Sequence, residues 1–437
     1  MCDSGRVMAR AGIKDISSEV MLPQIILVVV VLGLTLFGCV MVYSASAPSA
    51  ISESGDAASY LIDQIKFVAV GLVAAVVVFF IPYRWWRGTF TVVLGVAGLI
   101  VLIATAIYGL AALGAQRWIV IGPISLQPSE FVKIVIILNA AKLLADLRAG
   151  EIDGRMFWAQ VFFFIVLPLG LILVAQSDLG TTAILFVGIV AAMWLGEVPL
   201  RIVLIVLAGA ICLGLLAIGF TSYRSSRLIF LDPWNDGEGG YGSGYQMIHS
   251  YYAFSQGGLF GVGLGNSREK YAYLPESETD FIFSIIGEEL GMVGALLVII
   301  AFLVILWMGM HIARSAYDDF GAMLVGGLVV MLVFQAFLNI ACAIGVFPTT
   351  GKPLPFISSG GSSLVASFMM VGLILSVANE AGAPSIYRER RENLRVVRAS
   401  GPSTSAAGGQ AASRTTRTSG RASSVARSSS NSSRRRR

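Results

Sequence analysis

Apolar residues run along this chain in blocks of about 20, the length a helix needs to cross a bilayer, and the blocks recur as far as residue 380. Each block must be helical, because hydrocarbon offers open backbone groups no partner. The pattern predicts spans at 22–43, 64–81, 89–108, 129–145, 157–175, 180–195, 199–220, 281–310, 320–346 and 360–380. The blocks at 129–145 and 180–195 are short for a span. The expected fold class is an all-α integral membrane protein, a polytopic bundle of about ten transmembrane helices.

Three stretches interrupt this pattern. Residues 1–21 form a polar lead, 221–280 a long loop between the seventh and eighth spans, and 381–437 a tail, leaving 22–380 as the transmembrane domain. Long loops are functional or disordered; Trp234, many tyrosines and several Gly clusters argue for order here. The tail holds 13 arginines against Glu389 and Glu392, a net +11, so the rest of a +5 chain carries −6. It reads as a disordered, solvated segment attracted to anionic lipid, and no nucleic-acid partner is expected.

Composition agrees with the pattern. Charged residues make up 13% of the 437 and hydrophobic ones 56%, against about 25% charged in soluble domains. The distribution of Lys and Arg sets the orientation. With the N-terminus inside, the inner connections hold Arg6, Arg10, Lys14, Arg84, Arg87, Lys142, Arg148, Arg155, Arg201, Arg314 and the tail. The outer ones hold only Arg117, Arg224, Arg227, Arg268, Lys270 and Lys352. Both termini are therefore placed inside, with 44–63 as an outer loop and Trp85-Trp86 as an interfacial anchor. The first block is too long for a signal-peptide core and is read as an uncleaved span. Cys2, Cys39, Cys212 and Cys342 form no CxxC pair, and His249 and His311 lie far apart, so neither a disulfide, a zinc site nor a histidine metal centre is expected.

Charges placed where lipid should be are costly and informative. Gln127, Glu130 and Lys133 follow one another at intervals of three and share a helix face. Glu130 and Lys133 read either as a structural ion pair or as part of a ligand cavity. Arg117 stands at the outer surface against the charge trend. Glu276, Glu278, Asp280 and the nearby Glu269 crowd the entrance to the eighth span. Ser277-x-x-Asp280 before an apolar run is a capping-box pattern, so Asp280 reads either as a cap or as a general base. Asp280, Ser284 and Glu288 fall on one helical face, with Glu288 about 12 Å deeper. The stretch Gly345–Ser363 holds three prolines, Lys352, and a Ser/Gly run that opens the last span. Free N–H groups at such a start, around Ser358, Ser359 and Gly360, suit an anion. The stretch is not a nucleotide-binding P-loop, since Pro353 stands where a hydroxyl must hold magnesium. Gly261-Val262-Gly263-Leu264-Gly265 reads as a tight turn. Cations beside a carboxylate at a membrane boundary suggest group transfer from a lipid-linked phosphate outside the cytoplasm.

These residues fall in blocks that resemble the SEDS family, the FtsW/RodA/SpoVE proteins of bacterial cell-wall synthesis. The blocks are Arg117-Trp118 with Gln127-Pro128-Ser129-Glu130, Gln176-Ser177-Asp178-Leu179-Gly180-Thr181-Thr182, Gly244-Tyr245-Gln246, Gly257–Gly263, Leu274-Pro275-Glu276 with Thr279–Phe283, and the stretch before the last span. The resemblance implies a glycosyltransferase polymerising lipid II, partnered by a class B penicillin-binding transpeptidase and other divisome membrane proteins. It implies a multi-pass place in the bacterial cytoplasmic membrane, at the division septum. Asp280 matches the aspartate regarded as catalytic, and Arg117, Glu130 and Lys133 match cavity residues; Lys352, Ser358, Ser359 and Gly360 join them as substrate-binding candidates. A divalent cation, Mg or Mn, is compatible, with no dedicated cage of ligands visible. The blocks Thr279–Phe283, Gly287–Gly291 and Pro348–Lys352 are closer to the division branch than to the elongation branch. Ser359 departs from the tyrosine that many relatives carry. Two rival readings are a lipid II flippase, which needs a polar path between both faces, and a non-catalytic scaffold, for which Asp280 is dispensable.

Overall fold

A computed structural model describes residues 18–112, 115–121, 124–209 and 229–381. Most of the expected lead, the later part of the seventh span, Arg224, Arg227 and nearly all of the tail lie outside the described residues. In chain order the helices are α1 (Ser18–Ser54), α2 (Ser59–Phe80), the short α3 (Tyr83–Arg87) and α4 (Thr89–Tyr108). A three-stranded antiparallel sheet follows: β1 (Leu110–Ala112), β2 (Ala115–Ile121) and β3 (Ile124–Leu126). Then come α5 (Pro128–Ala149), α6 (Gly154–Ala175), α7 (Leu179–Leu195) and α8 (Leu200–Gly209). The chain continues through α9 (Tyr245–Gly257), α10 (Ile282–Arg314), α11 (Asp319–Ala343) and α12 (Gly361–Ala381). The chain is thus a polytopic, predominantly α-helical membrane protein.

Seven of the described helices are long and apolar enough to cross a membrane: α1, α2, α4, α6, α10, α11 and α12. Their burial separates an inner pair from an outer ring. The most apolar stretches of α11 and α12 are 78% and 83% buried, against 17% in α2 and 11% in α6. The inner helix α5 fails the apolar criterion on charge, not length, for it carries Glu130, Lys133, Lys142, Asp146 and Arg148. The two at its start do not meet lipid: Glu130 and Lys133 are each 1% exposed. Small residues let α7 approach α11, where a β-carbon on Gly188 would come within 3.1 Å of the Gly327 carbonyl. α6 carries π turns at Phe162–Val166 and Leu171–Ala175 on either side of Pro168, where the missing N–H interrupts the ordinary ladder.

Three elements differ from expectation. First, the outer loop placed at 44–63 is helical as far as Ser54, so α1 has 37 residues and runs about 55 Å, well beyond a bilayer core of roughly 30 Å. Its extension is held by a buried polar contact, Ser44 donating to Glu289 at 2.7 Å with Lys270 Nζ 3.0 Å from the same carboxylate. Second, the sheet at 110–126 was invisible to a search for apolar blocks. Third, α10 is broken at Gly291 (φ 66°, ψ −165°), although its apolar run continues through the break. The backbone groups freed there are taken up by the 258–263 turn: Val262 N and Gly263 N donate to the Glu288 and Glu289 carbonyls, and Met292 N and Val293 N to those of Gly258 and Leu259. This is how irregular backbone survives at the edge of a membrane, with every polar group paired inside the protein.

The fit at Gly291 leaves no room for a side chain: a β-carbon would sit 2.4 Å from Gly261 N and 2.5 Å from the Leu259 carbonyl. The conformation is itself costly for any residue but glycine, by about 1–3 kcal/mol. Gly291→Ala should therefore lower the unfolding midpoint of the purified protein markedly. Gly33→Ala on α1, where an added methyl meets nothing within 4 Å, should leave it unchanged or slightly raised. Equal midpoints for the two variants would contradict the described break.

Candidate active site

The 229–281 segment is ordered around two devices. Asp236 accepts from four backbone N–H groups, those of Glu238, Gly240, Gly242 and Gly244, which hold its carboxyl down to about 2. Gly237, Gly239 and Gly240 supply the positive φ that this wrap needs. Further on, α9 lies against the first part of α10, where Ser250 and Ser284 hydroxyls meet at 2.6 Å. Glu288 accepts from the Ser267 hydroxyl and from Arg268 N at 2.7 Å. The face expected to join Asp280, Ser284 and Glu288 is thus divided: the latter two brace the segment, and only Asp280 reaches the cleft.

Asp280 does not cap α10. The N-cap position is Phe281, with no side-chain cap bond, and Ser277 Oγ donates instead to Glu278. The Asp280 backbone is fixed, its carbonyl accepting from Asn339 Nδ2 at 2.8 Å, while its carboxyl has no ion pair within 4 Å among the described residues. It lines a small cleft with Phe281, Asn339, Thr350, Gly351 and Lys352. Burial and the charge of Glu276 push this carboxyl up to about 6, against the opposing pull of Lys352.

Beneath the cleft lies a buried quartet of charges. Lys133 Nζ donates to Glu130 Oε2 at 2.6 Å and to Gln335 Oε1 at 2.8 Å. Lys352 Nζ donates to Asp178 Oδ2 at 2.7 Å and stands 3.7 Å from Glu130 Oε1. Two acids and two ammoniums make the group neutral overall, which offsets the cost of burying each. Burial alone would raise the Asp178 carboxyl, but Lys352 and the α7 N-terminal contacts hold it below the usual carboxylate range. Gln335 Nε2 donates to the Pro353 carbonyl and the Ser363 hydroxyl, and Asn339 Nδ2 to the Lys352 carbonyl. The three-proline loop is thereby held onto α11.

The sequence candidates divide into those that face the cleft and those that support it. Ser358 Oγ donates to the Thr279 carbonyl at 2.6 Å and accepts from Leu354 N; Ser359 N donates to the Glu278 carbonyl at 2.9 Å. Ser358 and Ser359 thus fasten the loop carrying Lys352 to the loop carrying Asp280, while Gly360 accepts from Leu364 N at the start of α12. Arg117, on β2, donates to the Gln176 and Ser177 carbonyls at 2.7 Å each and meets no carboxylate among the described residues. Its guanidinium is oriented by those carbonyls, and its charge helps to hold the nearby Asp178 carboxyl low. Asp178, Gln335 and Asn339 were not singled out from the sequence. Asp178 sat inside a quoted block, and the other two look like ordinary polar residues in an apolar helix. Among the described residues no group of three or more His, Cys, Asp or Glu side chains could hold a metal ion. A magnesium ion carried on a pyrophosphate needs only one or two carboxylates from a protein.

The bundle and this cleft define a membrane-embedded protein with an unpaired carboxyl in a cleft, above charges sealed inside the helices. Residues 24–382 match the cell cycle protein family of FtsW, RodA and SpoVE, and the chain belongs to that family. Stage V sporulation protein E of Bacillus subtilis is 38% identical over 371 residues, covering 82% of this chain and 97% of that protein. A probable peptidoglycan glycosyltransferase FtsW of Trichlorobacter lovleyi is 38% identical over 360 residues, covering 81% and 93%. In structure, RodA of Thermus thermophilus aligns with a TM-score of 0.60 at 26% identity, over 81% of this chain and 96% of that one. A chain from a peptidoglycan synthase complex that coordinates polymerization and crosslinking gives 0.65 at 27% identity, over 81% and 97%.

Proposed function

We propose that the chain is a peptidoglycan glycosyltransferase that polymerises lipid II at the outer face of the cytoplasmic membrane during division, with Asp280 as general base. The observation that carries this is the unpaired Asp280 carboxyl, fixed by its backbone in a cleft over buried cations, in a chain whose relatives bear that name. The 4-hydroxyl of one lipid II sugar attacks the anomeric carbon of a glycan on undecaprenyl pyrophosphate. Asp280 accepts the hydroxyl proton as the new C–O bond forms, and the old C–O bond breaks with its electron pair leaving on the pyrophosphate. Arg117 and Lys352 supply the field that stabilises that charge. Glu130 holds Lys352 in place and Lys133 holds Glu130, Ser358 and Ser359 keep the Lys352 loop against that of Asp280, and Gly360 opens the last helix. The test is polymerisation of purified lipid II by the chain with its class B penicillin-binding partner; absence of polymer would remove the reading. A flippase needs polar groups along a path through the bundle, whereas Glu130, Lys133, Asp178 and Lys352 gather in one cluster below the cleft.

The same reading fixes an orientation, both termini inside, with Arg84, Arg148 and Arg314 cytoplasmic and Glu53 and Trp234 outside. Cysteines placed at 53 and 234 should react with an impermeant thiol reagent added to intact cells, and those at 84, 148 and 314 only after permeabilisation. Labelling of position 234 from the cytoplasm alone would sink it. A fluorescent fusion should collect at the septum.

A further inference from the structure

Asp280 and Lys352 share one small cleft, carry opposite charges, and yet do not pair. A β-carbon at Gly351 would lie 3.5 Å from Asp280 Oδ2. Lys352 follows directly, on a flexible four-carbon stem that is long enough to bring its ammonium to that carboxyl. Its Nζ turns the other way, to Asp178 Oδ2 at 2.7 Å and Glu130 Oε1 at 3.7 Å.

Asp178 is placed for this. It caps α7, its carboxylate accepting from Thr181 N at 2.9 Å, Thr181 Oγ1 at 2.8 Å and Gln127 Nε2 at 3.4 Å, and it is 1% exposed. Glu130 cannot replace it, since its nearer contact is already to Lys133. We propose that Asp178 is a positioning residue for the reaction: it holds the Lys352 ammonium away from Asp280, so that Asp280 stays unpaired and able to take a proton. The inference rests on the reading of Asp280 as the base.

The groups acting on Asp280 are few. Glu276 on its own segment favours the protonated form, and Lys352 from the loop after α11 favours the ionised one. α11 contributes the Asn339 amide and the Cys342 thiol to the cleft, and α9 contributes none of its lining. An ammonium that moves to within about 4–6 Å lowers a carboxyl by roughly 1–3 pH units. The weaker base is also the slower one.

The experiment uses the full-length protein. The Asp280 carboxyl band, identified by its loss in Asp280→Asn, is titrated by pH-difference infrared absorption in wild type and in Asp178→Asn. Asn caps a helix as well as Asp, so the start of α7 is preserved; Asp178→Ser, also a good cap, is the second variant. The expected result is a midpoint at least about one pH unit lower, with the acid limb of kcat/KM for lipid II moving the same way and Asp178→Glu staying near wild type. A midpoint that does not move in either folded variant overturns the proposal. A midpoint that moves while the acid limb ignores it upholds the positioning by Asp178 and overturns Asp280 as the base, so the two failures are distinct.

Discussion

Asp280→Asn should yield a normally inserted protein that makes almost no glycan polymer and yet unfolds later than wild type. The rate follows from chemistry: an amide keeps the shape of the side chain but cannot accept the proton, and a lost general base costs about 10²–10⁴ in rate. The stability follows from linkage. The Asp280 carboxyl stands near 6 in the folded protein, above its ordinary 3.8, so the fold disfavours the ionised form. That penalty is absent at low pH, where both states are protonated, grows between pH 4 and 6, and is complete above 6. At neutral pH it amounts to order 1–3 kcal/mol, and the uncharged amide escapes it. An aspartate serving only as a helix cap predicts something else on both counts: Asn caps as well as Asp, so stability is unchanged and activity per folded molecule intact. Glu276→Gln is the control, since it removes a field and not the base. Polymer formation by purified Asp280→Asn above about a tenth of the wild-type rate would exclude Asp280 from the proton transfer.

The sequence exposed what is local in this site and hid what is not. Glu130 and Lys133 are one helical turn apart, so their pairing can be read from spacing alone. Asp178 and Lys352 are 174 positions apart, and no period or spacing connects them; only the packing of α7 and the three-proline loop on α5 does. The ten-span pattern likewise rested on apolar blocks, and α2, α4, α10 and α11 begin or end close to where those blocks place them. It could not register the break at Gly291, because the residues on both sides are apolar and periodicity does not report a single φ angle. Nor did it find the sheet, whose strands are too short to alternate clearly and whose pairing is set by turns. The acids crowding the start of the eighth span marked Asp280 and left two readings open, cap or base. The carboxyl caps nothing, and its isolation in the cleft favours the second.

Of the four buried charges, Glu130 should be the hardest to remove. It touches both ammoniums, Lys133 at 2.6 Å and Lys352 at 3.7 Å. Glu130→Gln leaves two buried cations against Asp178 alone, with Lys133 bonded only to the neutral Gln335. An uncompensated buried charge costs about 3–5 kcal/mol, so little of this variant should be recovered as monodisperse protein. Lys133→Met should be milder, because Glu130 retains Lys352 and the position gains an apolar chain of similar length. Combining the two changes removes one charge of each sign, and the double variant should be more stable than Glu130→Gln by an interaction energy of about 0.5–3 kcal/mol. Exchanging the pair, Glu130→Lys with Lys133→Glu, would rescue an isolated salt bridge. Here it sets a cation at position 130 against Lys352, and the exchanged protein should be worse than the neutral double. Unfolding midpoints of the four variants in one detergent decide the matter. An exchange as stable as the neutral double would mean that Lys352 does not lean on Glu130, and that the quartet is two separate pairs.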